Sequence, residues 1–279
     1  METKMFKHKA CDIEWYCELR GSGPTIVLIP SGEGDCGSFA IVADALADDF
    51  KVLTFDMPGF SRSSTPPDFD KVTARMLADQ IAGLITSLNF TPATFYGCSS
   101  GGQAVLSLVA DHPDLVRNGI VHEAALAKDY AWPEMAAEWR AQLNSLDDAG
   151  IVHACKDLFR NQMNHYPEAW DALGAHYHQR LEKNYVTWVR YYLKPGVLDR
   201  SYDEEELSRR PITWSIGGFS QVWTRIGDQR VAQRANINVE IFKCRHFPQL
   251  EITEVLASHI REHAKQHVAR EQAASQRSV

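Results

Sequence analysis

The stretch FYGCSSGGQ, residues 95–103, places two serines among three glycines. It follows a short apolar run and leads into residues 103–113, whose apolar side chains recur with helical spacing. Residues 97–101 form the pattern G-x-S-x-G, with a predicted strand before it and a predicted helix after it. In that setting the middle serine lies on a sharp, strained turn, and a Cβ at either outer glycine would collide with the neighbouring strand and helix. Ser99 is therefore the candidate nucleophile, with a Gly/Ser-rich turn that merely joins strand to helix as the alternative.

Short β-branched runs bounded by Gly, Pro or Asp alternate along the chain with segments of helical apolar spacing. The predicted strands are residues 25–30, 51–56, 93–97, 118–123, 211–216 and 238–243. The predicted helices are residues 37–48, 72–88, 101–113 and 251–270, with a fraying tail over 269–279. Alternation of strand and helix predicts an α/β fold with a mostly parallel sheet flanked by helices.

The interval from residue 126 to residue 195 breaks this alternation. It has a helical pattern, is rich in Trp, Tyr, Met and His, and contains no strand signal. We predict that 126–195 is a helical cap inserted into a core formed by residues 1–125 and 196–279.

Two backbone N–H groups are candidates for stabilising a developing oxyanion. The N–H of Ser100 lies at the start of the predicted helix, where the helix dipole favours negative charge. The loop after the first core strand, IPSGEGDCGSF (29–39), contains Gly32, whose bare backbone can approach a ligand closely. We predict an oxyanion hole formed by Gly32 and Ser100.

A serine nucleophile requires a base that is itself oriented by a carboxylate. His246 follows the last predicted strand, where the chain order Ser, acid, His places the base. After the fifth predicted strand, the usual position of the acid, no carboxylate occurs before Asp228. Glu123 ends the preceding strand, at the edge of the sheet that also carries Ser99. We assign the orienting acid to Glu123, with Asp228 as the alternative.

Composition narrows the classes of function. The chain has 279 residues, of which 44% are apolar, enough to build a real interior. A net charge of −7 without a Lys/Arg stripe argues against nucleic-acid binding. The apolar run at 26–30 is too short to cross a bilayer and residues 1–10 lack a signal segment, so we predict no membrane association and a cytoplasmic location. Six cysteines without a C-x-x-C pair predict reduced thiols.

Three histidines, His259, His263 and His267, fall at i, i+4 and i+8 on the predicted C-terminal helix. This spacing can hold a metal ion, but we interpret it as a solvated helix face. We therefore predict neither a metal nor an organic cofactor.

Six short segments match one known family: FDMPGFSRS (55–63), GCSSG (97–101), VHE (121–123), EAW (168–170), RLEKNYVTWVRYY (180–192) and HFP (246–248). Together they resemble the zearalenone lactone hydrolases, a branch of the α/β-hydrolases. The likeness runs from about residue 13 to residue 265. It implies the α/β-hydrolase fold and a triad of Ser99, Glu123 and His246, in agreement with the assignment made from the residues.

The resemblance also implies contacts with the substrate. Trp188 matches the family's cap tryptophan, Tyr192 matches the aromatic residue four positions on, and Gly32 and Ser100 match its oxyanion donors. Phe159 and Met163 fall where the family lines its pocket with other apolar groups. Simple packing of the cap onto the core is the alternative interpretation of the aromatic residues.

The chain departs from the family after the acid, where HEAALAKDYAW (122–132) replaces the family's H-E-L-P and the cap carries extra residues between 124 and 165. Cap residues select the substrate, so the type of reaction transfers more safely than the substrate itself.

Together these observations predict a serine hydrolase that cleaves a carboxylic ester, here the lactone bond of a resorcylic macrolactone such as zearalenone. The expected partner is this small molecule, and exposed apolar surface would support a homodimer. The alternatives are a general carboxylesterase, a C–C bond hydrolase of the same fold, and a ligand receptor without turnover. Because the base must be unprotonated, activity should fall at acidic pH.

Overall fold

The computed structural model describes residues 2–277 and contains eight strands. They are β1 Lys4–Ala10, β2 Ile13–Arg20, β3 Thr25–Ile29, β4 Lys51–Phe55, β5 Ala93–Ser99, β6 Val116–Ala124, β7 Ile212–Gly217 and β8 Val239–Phe242. They form one sheet in the order β1-β2-β4-β3-β5-β6-β7-β8. The pairs β1/β2 and β2/β4 are antiparallel, and every pair from β4 to β8 is parallel. The predicted α/β fold with a mostly parallel sheet is confirmed.

Helices cover the sheet and fill the connections. They are α1 Ala40–Leu46, α2 Ala74–Ser87, α3 Ser100–Asp111, α4 Pro133–Ser145, α5 Asp148–Asp157, α6 Pro167–Asp171, α7 Ala175–Thr187, α8 Pro195–Leu198, α9 Glu204–Ser208, α10 Val222–Arg234, α11 Pro248–Glu251 and α12 Thr253–Arg277. Short π-helical turns, Leu158–Gln162 and Trp188–Tyr192, continue α5 and α7. Of the helices in residues 2–277, none has both the length and the apolar character needed to span a bilayer.

All six predicted strands are present, but the hairpin of β1 and β2 was missed. In β2 the residues Ile13, Trp15 and Cys17 alternate with polar ones and are buried, which is the pattern of a strand with one covered face. The predicted fraying of the tail is also wrong as far as Arg277, and residues 278–279 lie outside the described part. Helix-favouring Ala, Glu, Gln and Arg dominate this end of α12.

The core strands explain the continuous apolar runs in the sequence. All five residues of β3 are buried, and in β5 burial is interrupted only at Ser99. A parallel strand covered by helices on both faces has no solvent side, so its sequence does not alternate. The carboxyl ends of these strands meet at one edge, where α/β sheets carry their ligand sites.

Helices α4 to α9 connect β6 to β7, and α4 to α7 lie in the interval where the cap is predicted; its boundaries, 126 and 195, stay a prediction. Buried polar contacts hold α7 onto the loop after β3. Arg180 donates to both carboxylate oxygens of Asp35, at 2.6 and 3.0 Å. Asn184 donates from its amide to the backbone oxygen of Glu33 at 2.8 Å and to the Ser61 hydroxyl at 2.7 Å. Because these groups are largely out of water, they fix the position of α7 over that loop.

Candidate active site

Ser99 lies at the corner between β5 and α3. Its backbone has φ 56° and ψ −118°, a conformation that non-glycine residues rarely adopt. A Cβ on Gly97 would lie 2.2 Å from the carbonyl carbon of Gly101, and one on Gly101 would lie 2.4 Å from the carbonyl oxygen of Ile29. Since these neighbours are backbone atoms that cannot move aside, glycine is required at both positions. The strained corner leaves Ser99 partly exposed at the carboxyl edge of the sheet.

Glu123 and His246 form a close pair next to this corner. The Nδ1 atom of His246 lies 2.6 Å from Oε2 of Glu123. The other carboxylate oxygen, Oε1, accepts a hydrogen bond from the backbone N–H of Gly217 at 2.7 Å. Glu123 is buried and has a positive φ of 43°, which turns the end of β6. With Nδ1 engaged, Nε2 is the ring nitrogen available for proton transfer.

The charge of Glu123 is set by two opposing effects. Burial on its own raises the pKa of this carboxyl, but the hydrogen bond and the charge of His246 outweigh burial and leave the pKa below its ordinary value. The group is therefore a carboxylate at neutral pH. A carboxylate in this position can accept the Nδ1–H of the imidazole and fix the direction of the ring.

The loop that carries His246 is held from two sides. The backbone N–H of His246 donates to the carbonyl of Met163 at 3.0 Å, and the thiol of Cys98 donates to the carbonyl of His246 at 2.9 Å. The guanidinium of Arg245 donates to the carbonyls of Asn161 at 2.8 Å and Asn164 at 3.1 Å. The loop that carries the imidazole is thus tied to β5 and to residues 161–164.

Asp228, the alternative acid, has a different environment. Its Oδ1 accepts from the backbone N–H of Ala124 and from Nε1 of Trp214, both at 2.8 Å. Burial raises the pKa of this fully buried carboxyl well above its ordinary value, and the nearby charge of Glu123 adds to the effect. Asp228 thus braces the backbone directly after Glu123, while Glu123 contacts the imidazole. The geometry favours Glu123 as the orienting acid.

A cavity of about 300 Å³ joins these groups, and Ser99, Glu123 and His246 all lie in its wall. Within residues 2–277 there is no hydrogen bond between the Ser99 hydroxyl and the His246 ring. Such bonds are often long in a substrate-free site and shorten in the complex. The rest of the wall is mainly apolar, as in sites that bind small organic molecules.

The two predicted oxyanion donors differ in how they are placed relative to the cavity. Ser100 is in the cavity wall, and its N–H belongs to the first turn of α3, where backbone donors have no intrahelical acceptor. Gly32 is not in the wall itself, but a Cβ there would lie 2.4 Å from Nε1 of Trp188. Only glycine allows the loop after β3 to approach the indole so closely. Nε1 of Trp188 is buried and has no hydrogen-bond partner within the described chain, so it is a free donor beside the cavity.

Two of the four predicted substrate contacts lie in the cavity wall and two do not. Trp188 and Met163 line the cavity. Phe159 is fully buried and packs edge-on against Trp188, with 5.1 Å between ring centroids. Tyr192 is also buried, packs against Phe60 at 4.7 Å, and donates its hydroxyl to the carbonyl of Pro58. In this structure both side chains belong to the packing between cap and core, and the contacts of Phe159 and Tyr192 with substrate stay a prediction.

Sequence reasoning missed much of the aromatic wall. Trp132, Met135 and Trp139 line the cavity from α4 and the residue before it, and Trp223 lines it from α10. The first three are spaced i, i+3 and i+7, the spacing of one helix face. That apolar stripe was the available signal. For Trp223 no local signal exists, because its role depends on how α10 packs against the site.

Comparison with known proteins shows the family to which the chain is similar. Residues 24–234 match the family described as alpha/beta hydrolase fold. A zearalenone hydrolase of Bionectria ochroleuca is 33% identical over 262 residues, which covers 92% of this chain and 96% of that protein. A zearalenone hydrolase of Cladophialophora bantiana is 35% identical over 261 residues, covering 92% of this chain and 94% of that protein.

Solved structures show the fold. The enol-lactonase from Burkholderia xenovorans LB400 superimposes with a TM-score of 0.73 at 19% identity, over 92% of this chain and 98% of that one. At this level of identity the likeness concerns the architecture alone.

Proposed function

Because the chain belongs to the α/β-hydrolase family, and within it to the zearalenone hydrolases, we propose that it opens the lactone ring of a resorcylic macrolactone such as zearalenone. The chain is a hydrolytic enzyme, and its similarity to zearalenone hydrolases supports hydrolysis of an ester or lactone. Ser99 acts as nucleophile and His246 as general base and acid. Glu123 orients the imidazole and stabilises the charged form that arises during the reaction. The observation that carries the proposal is the 2.6 Å pair of His246 and Glu123 in the wall of the cavity that Ser99 enters.

The reaction proceeds in two halves. Nε2 of His246 takes the proton of the Ser99 hydroxyl as Oγ forms a bond to the lactone carbonyl carbon. The carbonyl oxygen becomes an oxyanion, which accepts hydrogen bonds from the backbone N–H groups of Ser100 and Gly32. When the carbon–oxygen bond of the ring breaks, the leaving oxygen takes the proton from His246 and an acyl-enzyme remains. Water then attacks the acyl carbon by the same route and releases the hydroxy acid.

The electrostatics of the His246–Glu123 pair support this order of steps. Transfer of the serine proton creates an imidazolium, and the Glu123 carboxylate lies 2.6 Å from its Nδ1. Because the pKa of Glu123 lies below its ordinary value, the carboxylate is present throughout the neutral pH range. Its second oxygen is held by Gly217, so the carboxylate cannot rotate away from the ring. The imidazole therefore keeps the tautomer with Nε2 unprotonated before attack.

The shape and chemistry of the cavity support an aromatic, largely apolar substrate. Four of the seven tryptophans of the chain line it: Trp132, Trp139, Trp188 and Trp223. Their faces and edges suit the flat ring of a resorcylic lactone, since aromatic pairs prefer offset or edge-on contact. The partnerless N–H of Trp188 provides a donor for a ring or lactone oxygen. A cavity of about 300 Å³ is at the lower end of sites that enclose a drug-sized molecule.

The proposal is tested by incubating the enzyme with a panel of resorcylic macrolactones, simple lactones and short-chain p-nitrophenyl esters. Mass spectrometry should detect a gain of one water on the macrolactones over many turnovers. Ser99→Ala serves as the blank, and Ser100→Ala, which keeps the backbone N–H, serves as the matched control and should stay active. Rapid turnover of the small esters alone would instead assign a general carboxylesterase, and a single stalled acyl-enzyme would assign a receptor.

A further inference from the structure

A second cluster of chemically competent side chains lies on β8 and α12, apart from the cavity. Nδ1 of His259 lies 3.6 Å from Oε2 of Glu240, and Nε2 of His263 lies 3.8 Å from Oε1 of the same carboxylate. One ligand atom from each of the three residues lies within 4.8 Å of the others. The two histidines are four residues apart, so they occupy the same face of α12 directly above the edge strand.

We propose that Glu240, His259 and His263 form a binding site for a first-row divalent transition metal ion, with Zn²⁺ as the probe. Two imidazoles and one carboxylate are a donor set that such ions prefer. Ligand atoms around a tetrahedral zinc ion are about 3.3 Å apart, given bond lengths of about 2.0–2.1 Å. The two observed nitrogen–oxygen separations, 3.6 and 3.8 Å, exceed this value by about 0.5 Å or less. The Glu240 side chain is 49% exposed, so water can reach the site and complete the coordination.

The surroundings of His263 fit the role of a ligand. The hydroxyl of Thr213 on β7 lies 3.3 Å from Nδ1 of His263. Metal-binding histidines commonly use their second ring nitrogen in this way, because the bond fixes the tautomer and the direction of the ring. Here it leaves Nε2 as the nitrogen directed at Glu240. Thr213 is therefore a positioning residue for the site.

His259 contributes rigidity. Its side chain is only 8% exposed, and its ring packs edge-on against Phe242 with 5.0 Å between centroids. The solvated helix face expected from the histidine spacing is thus wrong for His259. A ligand that is already held in place loses little conformational freedom when a metal binds. A bound ion would connect α12 to the edge of the sheet just before the loop that carries His246, so the expected role is structural.

Equilibrium dialysis of the full chain against Zn²⁺, after removal of metal with a chelator, tests the site. The structure predicts one ion per chain, a higher melting temperature with Zn²⁺, and a tetrahedral absorption spectrum with Co²⁺. His263→Ala and Glu240→Gln, chosen because both side chains reach solvent, should bind on the order of tenfold or more weakly. Thr213→Val should weaken binding by about tenfold. His176→Ala, which alters an exposed histidine of α7, is the matched control and should bind as the unaltered chain does.

Three results would overturn the site, and two of them concern the proposed ligands: the folded protein binds no zinc, or His263→Ala and Glu240→Gln bind zinc as tightly as the unaltered chain although their circular dichroism matches that of the control. Binding that is lost in His176→Ala would place the ion elsewhere. Hydrolysis that depends on Ser99 should be retained in the metal-free protein, so failure of the metal site and failure of the proposed function are separable.

Discussion

Replacing Glu33 by Gln should remove a loss of stability that the unaltered chain undergoes as the pH rises from about 4.5 to about 7. Glu33 lies in the loop after β3, next to Gly32, and is completely buried. Its Oε1 accepts from the Ser38 hydroxyl at 2.9 Å, whereas Oε2 is buried with no hydrogen-bond partner in the described chain. Burial raises the pKa of Glu33 from 4.5 to about 7.

The sign and size of the effect follow from this shift. A carboxyl whose pKa is higher in the folded state binds its proton more tightly there, so the folded state loses stability as pH rises from about 4.5 to about 7. The difference of about 2.5 between the two pKa values corresponds to a loss of about 3 kcal/mol in the free energy of unfolding. This loss is complete above the folded-state pKa and absent below the ordinary value. Gln keeps the shape of Glu and carries no charge, so it removes this penalty. Any fixed cost of the buried amide is the same at every pH and cancels when two pH values are compared.

Urea or thermal unfolding from pH 5 to pH 8.5 measures the effect directly. Relative to its own difference at pH 5, where part of the penalty is already present, Glu33→Gln should gain about 2.5 kcal/mol in free energy of unfolding over the unaltered chain at pH 8.5, or roughly 5–10 °C in melting temperature. Glu138→Gln, on the exposed face of α4, is the control and should show no such change. If the free energies of unfolding of Glu33→Gln and the unaltered chain differ by the same amount from pH 5 to pH 8.5, the reasoning is refuted.

Three further substitutions test the site. Gly101→Ala places a Cβ 2.4 Å from a backbone oxygen and should lower stability by roughly 1–3 kcal/mol or more in urea unfolding, whereas Gly102→Ala, with 3.2 Å to its nearest atom, should cost less. Trp188→Phe keeps a ring but removes the free N–H and should lower kcat/KM for a macrolactone by about tenfold, while Trp170→Phe, outside the cavity wall, should not. Glu123→Gln should lower kcat by about 10⁴-fold, and Asp228→Asn, which keeps its acceptor oxygen, should stay within about tenfold; equal losses would contradict the assignment of the acid.

The parts of the fold that depend on local chemistry could be predicted from the sequence. The glycines at 97 and 101 mark a corner that excludes a Cβ, and a Cβ at either position would meet backbone atoms at 2.2–2.4 Å. The absence of a carboxylate between β7 and Asp228 favours Glu123 as the acid, and in the structure Glu123 lies against His246. Both inferences use constraints that operate within a few residues or along the order of the strands.

Features that depend on packing between distant elements could not be predicted. Phe159 and Met163 are both apolar residues of one π-helical turn and its end, yet the first is buried against Trp188 and the second faces the cavity. The burial of Glu33 and the approach of Glu240 to His259 likewise depend on which elements cover them. A sequence shows which residue types are available, whereas the surrounding helices decide which of them reach a ligand.

The most direct measurement is the site of covalent labelling by an organophosphonyl fluoride, which reacts with activated serine hydroxyls. Intact-mass and peptide analysis should find one adduct per chain on the peptide that contains Ser99, and His246→Ala should slow the labelling by orders of magnitude. Ser100→Ala should be labelled normally and Ser99→Ala not at all. Normal labelling of Ser99→Ala, or an adduct on any other residue, would contradict the claim that Ser99 is the nucleophile activated by His246.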